Sequence, residues 1–366
     1  MLESWRLATY SFPTPRLIGD CRHRIDALPI GTLELGSSSG ETGLGFFWAP
    51  SFPDPLPSLD ELEAAFARDV APALGGTTPD ALHNRLGHPR CGGVRVGPFA
   101  DALDLALWDL RAKNLDLPLY RLLGGSDPRV PAYASGLDFN LSLEETSAFF
   151  ADAARQGFSV FKVKVGHESL AWELDRLHAI SEAVGVGATL LVDANEAWTA
   201  KDTIRRLHAY RDAGLHVLWI EDPCPREDVK GLSRVAREVP FAYLQAGEYL
   251  DTEGRRHLIE SGAIDVVNLL DHVSDGLRLA WLAAGHGTRV AVGNTAFDVG
   301  VHLAAALPDV LFVEYSLFAY ERFAVQAICC EDGHAVAPDR PGHGITLSEG
   351  ALASQVGRGP QRTCAK

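Results

Sequence analysis

Three short apolar runs in the middle of the chain each end on an acid: Leu190-Leu191-Val192-Asp193, Val217-Leu218-Trp219-Ile220-Glu221 and Tyr243-Leu244-Gln245-Ala246-Gly247-Glu248. Successive acids lie about 27 residues apart, and an amphipathic helical pattern fills each interval. Strand-helix-strand units of that length make neighbouring parallel strands, and right-handed crossovers bring their C-terminal ends to one face. Upstream, residues 130–135 and 159–165 read as two more strands. Between them Ser142-x-x-Glu145 is a capping box opening a helix that stops at Gly157, and a second helix follows over 169–184. Downstream, the apolar runs 263–270, 289–292 and 310–313 complete eight strand candidates. This alternation predicts an α/β fold of the barrel type. A doubly wound open sheet would need a glycine-rich phosphate loop after its first strand, and Ala134-Ser135-Gly136-Leu137 is not one.

The first 95 residues are patterned differently. Short alternating runs such as Thr32-Leu33-Glu34-Leu35 precede a Gly/Ser-rich stretch (36–45), then Phe46-Phe47-Trp48 and the proline-rich 50–57. The pattern predicts a small sheet with a long mobile loop, its aromatics forming either a lid over an active site or a hairpin packed on a neighbour. Residues 98–115 read as a helix with Phe99, Leu103, Ala106, Leu107 and Leu110 on its apolar stripe and Asp101, Asp104 and Lys113 on the surface. Pro118 and Gly124-Gly125 end it. The expected organisation is an N-terminal α+β domain over 1–128, a barrel over 129–317, and a tail, 318–366, that packs back on the first domain.

Composition changes this picture little. The chain has 366 residues, 46% apolar and 22% charged, as expected of a soluble globular protein. No apolar run approaches the roughly 20 residues of a membrane span, and the amino terminus lacks the layout of a signal peptide, so a cytoplasmic location is expected. With 33 basic against 48 acidic residues the net charge is −15, which argues against nucleic acid or an anionic membrane as partner. The six cysteines are scattered with no CxxC pair, and they read as reduced, packed thiols, Cys224 near the acidic rim included.

The chemistry concentrates where the acids converge. Three carboxylates at one rim repel one another unless a hard cation sits among them, and oxygen ligands with open positions suit Mg²⁺. Asp193, Glu221 and Glu248 are therefore the candidate metal ligands. The strand before them, Ser159-Val160-Phe161-Lys162-Val163-Lys164-Val165, alternates, so Lys162 and Lys164 share the barrel's inner face while Phe161, Val163 and Val165 face the helices. Two confined ammonium groups should lower one another's pKa and free one lysine to act as a base. A metal that binds a substrate carboxylate, with a lysine beside it, can remove the proton from the adjacent carbon and stabilise the enediolate; this pairing is a known pattern of pKa tuning.

Val192-Asp193-Ala194-Asn195-Glu196-Ala197-Trp198, Trp219-Ile220-Glu221-Asp222-Pro223, Ala246-Gly247-Glu248 and Lys162-Val163-Lys164 together resemble the enolase superfamily, mandelate racemase/muconate lactonizing enzyme branch. The stretch from Ala102 to Leu110, with Leu122-Leu123-Gly124-Gly125, is similar to that family's capping-domain signature. The resemblance covers nearly the whole chain. It implies a (β/α)7β TIM-like barrel under an α+β capping domain, Mg²⁺, and Lys164 as base with Lys162 beside it. It also implies a small-molecule carboxylate substrate, a homo-oligomer, a substrate-side role for Glu314, Asn195 near the metal, and a lid at Phe46–Trp48. Two departures bear on the reaction. Asn294 aligns with the histidine that the racemase group places at the end of the seventh strand, and an amide cannot exchange that proton. The lysine that the lactonizing and epimerase groups carry on the sixth strand has no counterpart in 265–270, where only Asp271 and His272 follow as candidate second acid-base groups. A hydroxy-acid or acid-sugar dehydratase, which can work from one face, is the favoured expectation. Racemase, epimerase and cycloisomerase are alternatives, as is an inactive binding scaffold.

Overall fold

The computed structural model describes residues 1–49, 53–86, 96–270 and 272–364. Its N-terminal layer is an antiparallel sheet of three long strands, β1 (Leu2–Gly19), β2 (Arg24–Ser37) and β3 (Thr42–Trp48). The glycines here serve close packing: a Cβ at Gly43 or Gly45 would fall 2.1 or 1.9 Å from the carbonyl oxygens of Ala106 or Ala102, so β3 lies directly against the helix Ala100–Asn114. Phe47 is buried in that packing against Phe99, Phe46 is buried on the opposite face against Phe297, and Trp48, at the strand's end, is half-buried. Two helices, Leu59–Asp69 and Pro79–Leu86, follow where no helix was expected. The first begins at a full capping box between Ser58 and Glu61.

Eight parallel strands then close into a barrel: β4 (Arg129–Ser135), β5 (Val160–Lys164), β6 (Thr189–Asp193), β7 (Val217–Glu221), β8 (Tyr243–Ala246), β9 (Val266–Leu269), β10 (Arg289–Val292) and β11 (Val310–Ser316). The pairing of β11 back onto β4, with Glu314 opposite Tyr133, completes the ring. The expected capping box holds: Ser142 and Glu145 bond reciprocally before the helix Leu143–Arg155, and Ser169 caps Leu170–Val184 as well. Two apolar layers result. Phe161, Val163 and Val165 join the large core between strands and helices, whereas Tyr133, Val160, Leu191, Trp219, Val266 and Ala291 fill the barrel interior. The tail divides its contacts. β12 (Cys329–Glu331) and β13 (His334–Val336) extend β4 at the barrel, and β14 (Gln355–Arg358) pairs with β1.

The helix Ala100–Asn114 is buried on most of its circumference, which corrects the expectation that Asp104 lies on its surface. Asp104 accepts from the backbone N–H of Ser274 at 2.9 Å and so ties the capping domain to the barrel. One turn on, Asp109 accepts from the backbone of Leu44 and of His343, both at 2.9 Å, and from Lys113 at 2.7 Å. Two buried histidines finish this junction. His302 accepts from the Tyr120 N–H at 3.2 Å and donates from Nε2 to the His343 carbonyl at 3.0 Å; His343 accepts from the Ile345 N–H at 3.1 Å and donates to the Leu44 carbonyl at 2.9 Å. Each ring is thus fixed as a neutral tautomer between backbone groups.

Burial, with His343 adding to it, lowers the His302 pKa to about 3, and burial lowers His343 as well. A depressed folded-state value means that the unfolded chain takes up the proton first. The stability contribution is therefore full above the unfolded histidine value of about 6.5 and is lost as pH falls below it. We expect the thermal midpoint to drop steeply between pH 6.5 and 4. His302→Leu should cost about 2–4 kcal/mol at pH 7.5, because it orphans two buried backbone groups, and should flatten that acid slope. An unchanged slope, read by calorimetry, would remove His302 as its source.

Candidate active site

Strand register assembles the polar ring. Lys164 lies opposite Asp193, Asp193 opposite Glu221, and Glu221 opposite Gln245, so one layer at the barrel mouth carries four polar side chains from four successive strands. Lys162 Nζ reaches Glu314 at 2.8 Å, Glu221 at 3.0 Å and Asp193 at 3.8 Å, and lies 5.2 Å from the centre of the Tyr133 ring. Lys164 pairs with Asp193 and takes its backbone N–H to Asp138 at 3.1 Å. These groups are almost dry: Lys162 is 2% exposed, Lys164 4%, Asp193 and Glu221 0%. Glu314 faces Lys162 and the Tyr133 hydroxyl, 3.0 Å away, and so serves as the lysine's counter-ion in this geometry.

The lowered lysine pKa expected from two adjacent ammonium groups is not what the site produces. Burial does disfavour both charges, but Glu221 and Glu314 outweigh it at Lys162, and Asp193 outweighs it at Lys164; both pKa values are held above the ordinary lysine value. The acids divide. Burial works against the charge of Glu314, yet Lys162 and Lys164 hold its pKa below the usual carboxyl range. Burial lifts Glu221 well above that range despite Lys162, and lifts Glu248 to about 8 despite Lys164.

Asp193, Glu221 and Glu248 each present a carboxylate oxygen within 4.8 Å of the other two. Oε2 of Glu248 is buried without a hydrogen-bond partner, and Oε2 of Glu221 touches Lys162 only outside hydrogen-bond geometry. Crowded hard oxygen donors with unspent lone pairs fit a small divalent cation. Asn268 Nδ2 donates to the other Glu221 oxygen at 3.0 Å and orients the carboxylate.

Asn195 sits where the resemblance put it, 7% exposed with its Oδ1 unpartnered and its backbone N–H on Asp193 at 2.9 Å. Asn195, Glu196 and Asp222 all have positive φ (43°, 59° and 34°), so strained backbone follows β6 and β7 at the site. The turn between β1 and β2 holds the first of these in place. Arg22 donates to the carbonyls of Asn195 at 2.8 Å and Glu196 at 2.6 Å. The capping segment that docks on the barrel mouth is therefore residues 20–23, which nothing in the hydrophobic pattern singled out.

A cavity of about 400 Å³ opens beside Glu248, lined among others by Trp48, Asp101, Arg255, His272 and Asn294. Neither lysine lines it. His272 caps the helix Val273–His286, accepting from the Asp275 N–H at 3.3 Å, with carboxylates of Asp104 and Asp275 at 3.6 and 3.7 Å. Asp271 lies outside the described residues. Arg255, missed because it sits within a helix in a run, Glu253-Gly254-Arg255-Arg256, that reads as solvent-facing, donates to the carbonyls of Gly247 at 2.8 Å and Glu248 at 2.7 Å, fixing the turn that carries Glu248.

The family model for the mandelate racemase/muconate lactonizing enzyme N-terminal domain matches residues 24–124, and that for the enolase C-terminal domain-like fold matches 145–351. The chain is 30% identical over 365 residues to 3,6-anhydro-alpha-L-galactonate cycloisomerase of Streptomyces coelicolor, covering 95% of this chain and 97% of that protein. A solved structure from Mesorhizobium loti assigned to the mandelate racemases superposes with a TM-score of 0.91 at 43% identity, covering 96% of this chain and 93% of that one. L-talarate dehydratase from Polaromonas sp. JS666, solved with Mg and L-glucarate, superposes with a TM-score of 0.84 at 27% identity over 99% of both chains. The chain belongs to the mandelate racemase/muconate lactonizing enzyme family of the enolase superfamily and is a Mg²⁺-dependent enzyme of that superfamily's lyase or isomerase chemistry.

Proposed function

We propose that the protein dehydrates a hydroxylated carboxylic acid of the acid-sugar class, with Lys164 as base. The observation that supports this reading is the one-sidedness of the site among the described residues. Lys162 and Lys164 approach from β5, Asn294, which aligns with the histidine of the racemase group, offers only an amide to the cavity, and His272 caps a helix through Nδ1 between two acids. A 1,1-proton transfer needs an acid-base group on each face of the carbon; an elimination does not. Lys164 Nζ takes the α-proton, and the C–H electron pair forms the double bond as the β-hydroxyl bond breaks. The hydroxyl leaves as water with the proton carried by the lysine, and the enol becomes a 2-keto-3-deoxy acid. Lys162, held between Glu221 and Glu314, stays charged and stabilises negative charge on the substrate carboxylate. Asp193, Glu221 and Glu248 would hold Mg²⁺, which supplies positive charge against the developing enediolate and offsets the carboxylate field that keeps Lys164 protonated.

The Polaromonas dehydratase supports this reading by its likeness over the full chain. A cycloisomerase is the second reading, because the Streptomyces coelicolor relative matches over almost its whole length and such a reaction also needs a base on one face only.

In D₂O with Mg²⁺, proton NMR of a hydroxy-acid library should show loss of an α-proton signal together with a new 2-keto-3-deoxy product. Lys164→Ala should slow turnover about 10³-fold. Deuterium entering an otherwise unchanged substrate with scrambled stereochemistry would replace this reading by a racemase. By calorimetry, one Mg²⁺ should bind per chain, and Glu248→Gln should weaken it at least about tenfold. Equal affinity in that variant would take Glu248 out of the ligand set.

A further inference from the structure

The acid end of a substrate is accounted for by the metal ligands and lysines; the far wall of the cavity is not. Among the described residues, its acidic and basic side chains beyond Glu248 are Asp101, Asp251, Arg255, His272 and Asp275, with the phenol Tyr249 beside them. Most are already committed. Arg255 spends its guanidinium on the carbonyls of Gly247 and Glu248. Asp251 caps its own helix through the Gly254 N–H at 2.8 Å, and Asp275 is paired with Arg278 at 2.8 Å and bonded by the Thr252 hydroxyl at 2.5 Å. His272 is the cap described above.

Asp101 differs. It enters from the capping domain, in the first turn of the helix Ala100–Asn114, and makes no hydrogen bond or ion pair among the described residues. Burial raises its pKa against the pull of His272 and Arg255. A half-buried carboxylate that no donor among the described residues satisfies is matched by a ligand that brings donors. A substrate hydroxyl, or two vicinal hydroxyls bridging both carboxylate oxygens, does so without adding charge. A second substrate carboxylate would meet like charge where solvent screening is weak.

We propose that Asp101 is a specificity-determining residue that selects a monocarboxylate with a polyhydroxylated, uncharged tail and rejects the matching dicarboxylate. The proposal rests on the acid-sugar reading above and sharpens it, since sugar acids with one and with two carboxylates are both open to that chemistry.

The test uses the full-length Mg²⁺ enzyme and measures both binding by calorimetry and turnover by NMR for six-carbon aldonic acids and the aldaric acids of the same configuration. The wild type should bind the best aldonate at least about tenfold more tightly than its aldarate. Asp101→Asn, which keeps the shape and one acceptor, should shrink that ratio to within about threefold while the melting temperature and Mg²⁺ affinity stay put; Asp101→Ala should weaken the aldonate itself. Equal binding of the two acids by the wild type, or a ratio untouched in Asp101→Asn, would overturn the assignment. So would tighter binding of an ammonium-bearing acid such as a dipeptide, or no binding of either sugar acid. Preferential aldonate binding without elimination would leave the role of Asp101 standing and bring down the dehydratase reading instead.

Discussion

Everything at the barrel mouth depends on balancing charge in a place without water. Two lysines and four carboxylates, Asp193, Glu221, Glu248 and Glu314, meet there, and all but the half-buried Glu248 are at most 4% exposed. With all six groups ionised the cluster would carry an excess of two negative charges. A buried excess of that size is costly, and such a cluster either binds protons or binds a cation. The pKa directions give the first solution: Glu221 and Glu248 are the two carboxyls pushed up, by burial above all. One divalent ion supplies the same charge as those two protons. The carboxylate trio, the raised lysines and the Mg²⁺ dependence of the family are thus three expressions of one electrostatic constraint.

The capping domain contributes to this balance indirectly, by holding backbone. Arg22 closes over the carbonyls of the strained turn after β6, so the positive φ of Asn195 and Glu196 is maintained by contacts from another domain. Arg226 adds a bidentate pair with Glu196 at 2.5 and 2.7 Å. Further from the mouth, Asp104, Asp109, His302 and His343 satisfy buried backbone groups across the same boundary. The domain boundary therefore joins these polar bonds to apolar contacts such as Phe12 and Phe46 against Phe297, and the bonded polar groups fix relative position within that seam.

That seam marks the limit of what the chain discloses when read as a string. The strand-end acids and the alternating Lys162 and Lys164 are local patterns, each visible within six residues, and barrel closure brings them together by rules that hold for any such sequence. The pKa of the lysines is not local. Lys162 meets Glu314 across 152 residues, and only ring closure between β4 and β11 makes them neighbours, so repulsion between the lysines was visible while the attraction that outweighs it was not. Asp104 was misplaced, and Asp109 passed unremarked, for a related reason. On an amphipathic helix an acid reads as solvent-facing, unless its partners, here the backbone of Ser274, Leu44 and His343, arrive from elsewhere in the chain. Phe46 and Phe47 looked exposed because glycines flank them, yet those glycines are what lets the strand lie flush against its helix.

The same distinction bears on how reaction type is written into this fold. Lys164, Asp193 and Glu221 sit on strands, in positions set by register, with Glu248 two residues past the end of β8. The fate of the carbanion depends on the groups facing it from strand-end loops, and here those are an amide at Asn294 and an imidazole already engaged at His272. Under the proposed reading, a carbanion formed next to a β-hydroxyl has elimination as its exit, using the proton that Lys164 has acquired. A site of this kind can therefore change its reaction through its strand-end residues without rebuilding its metal centre.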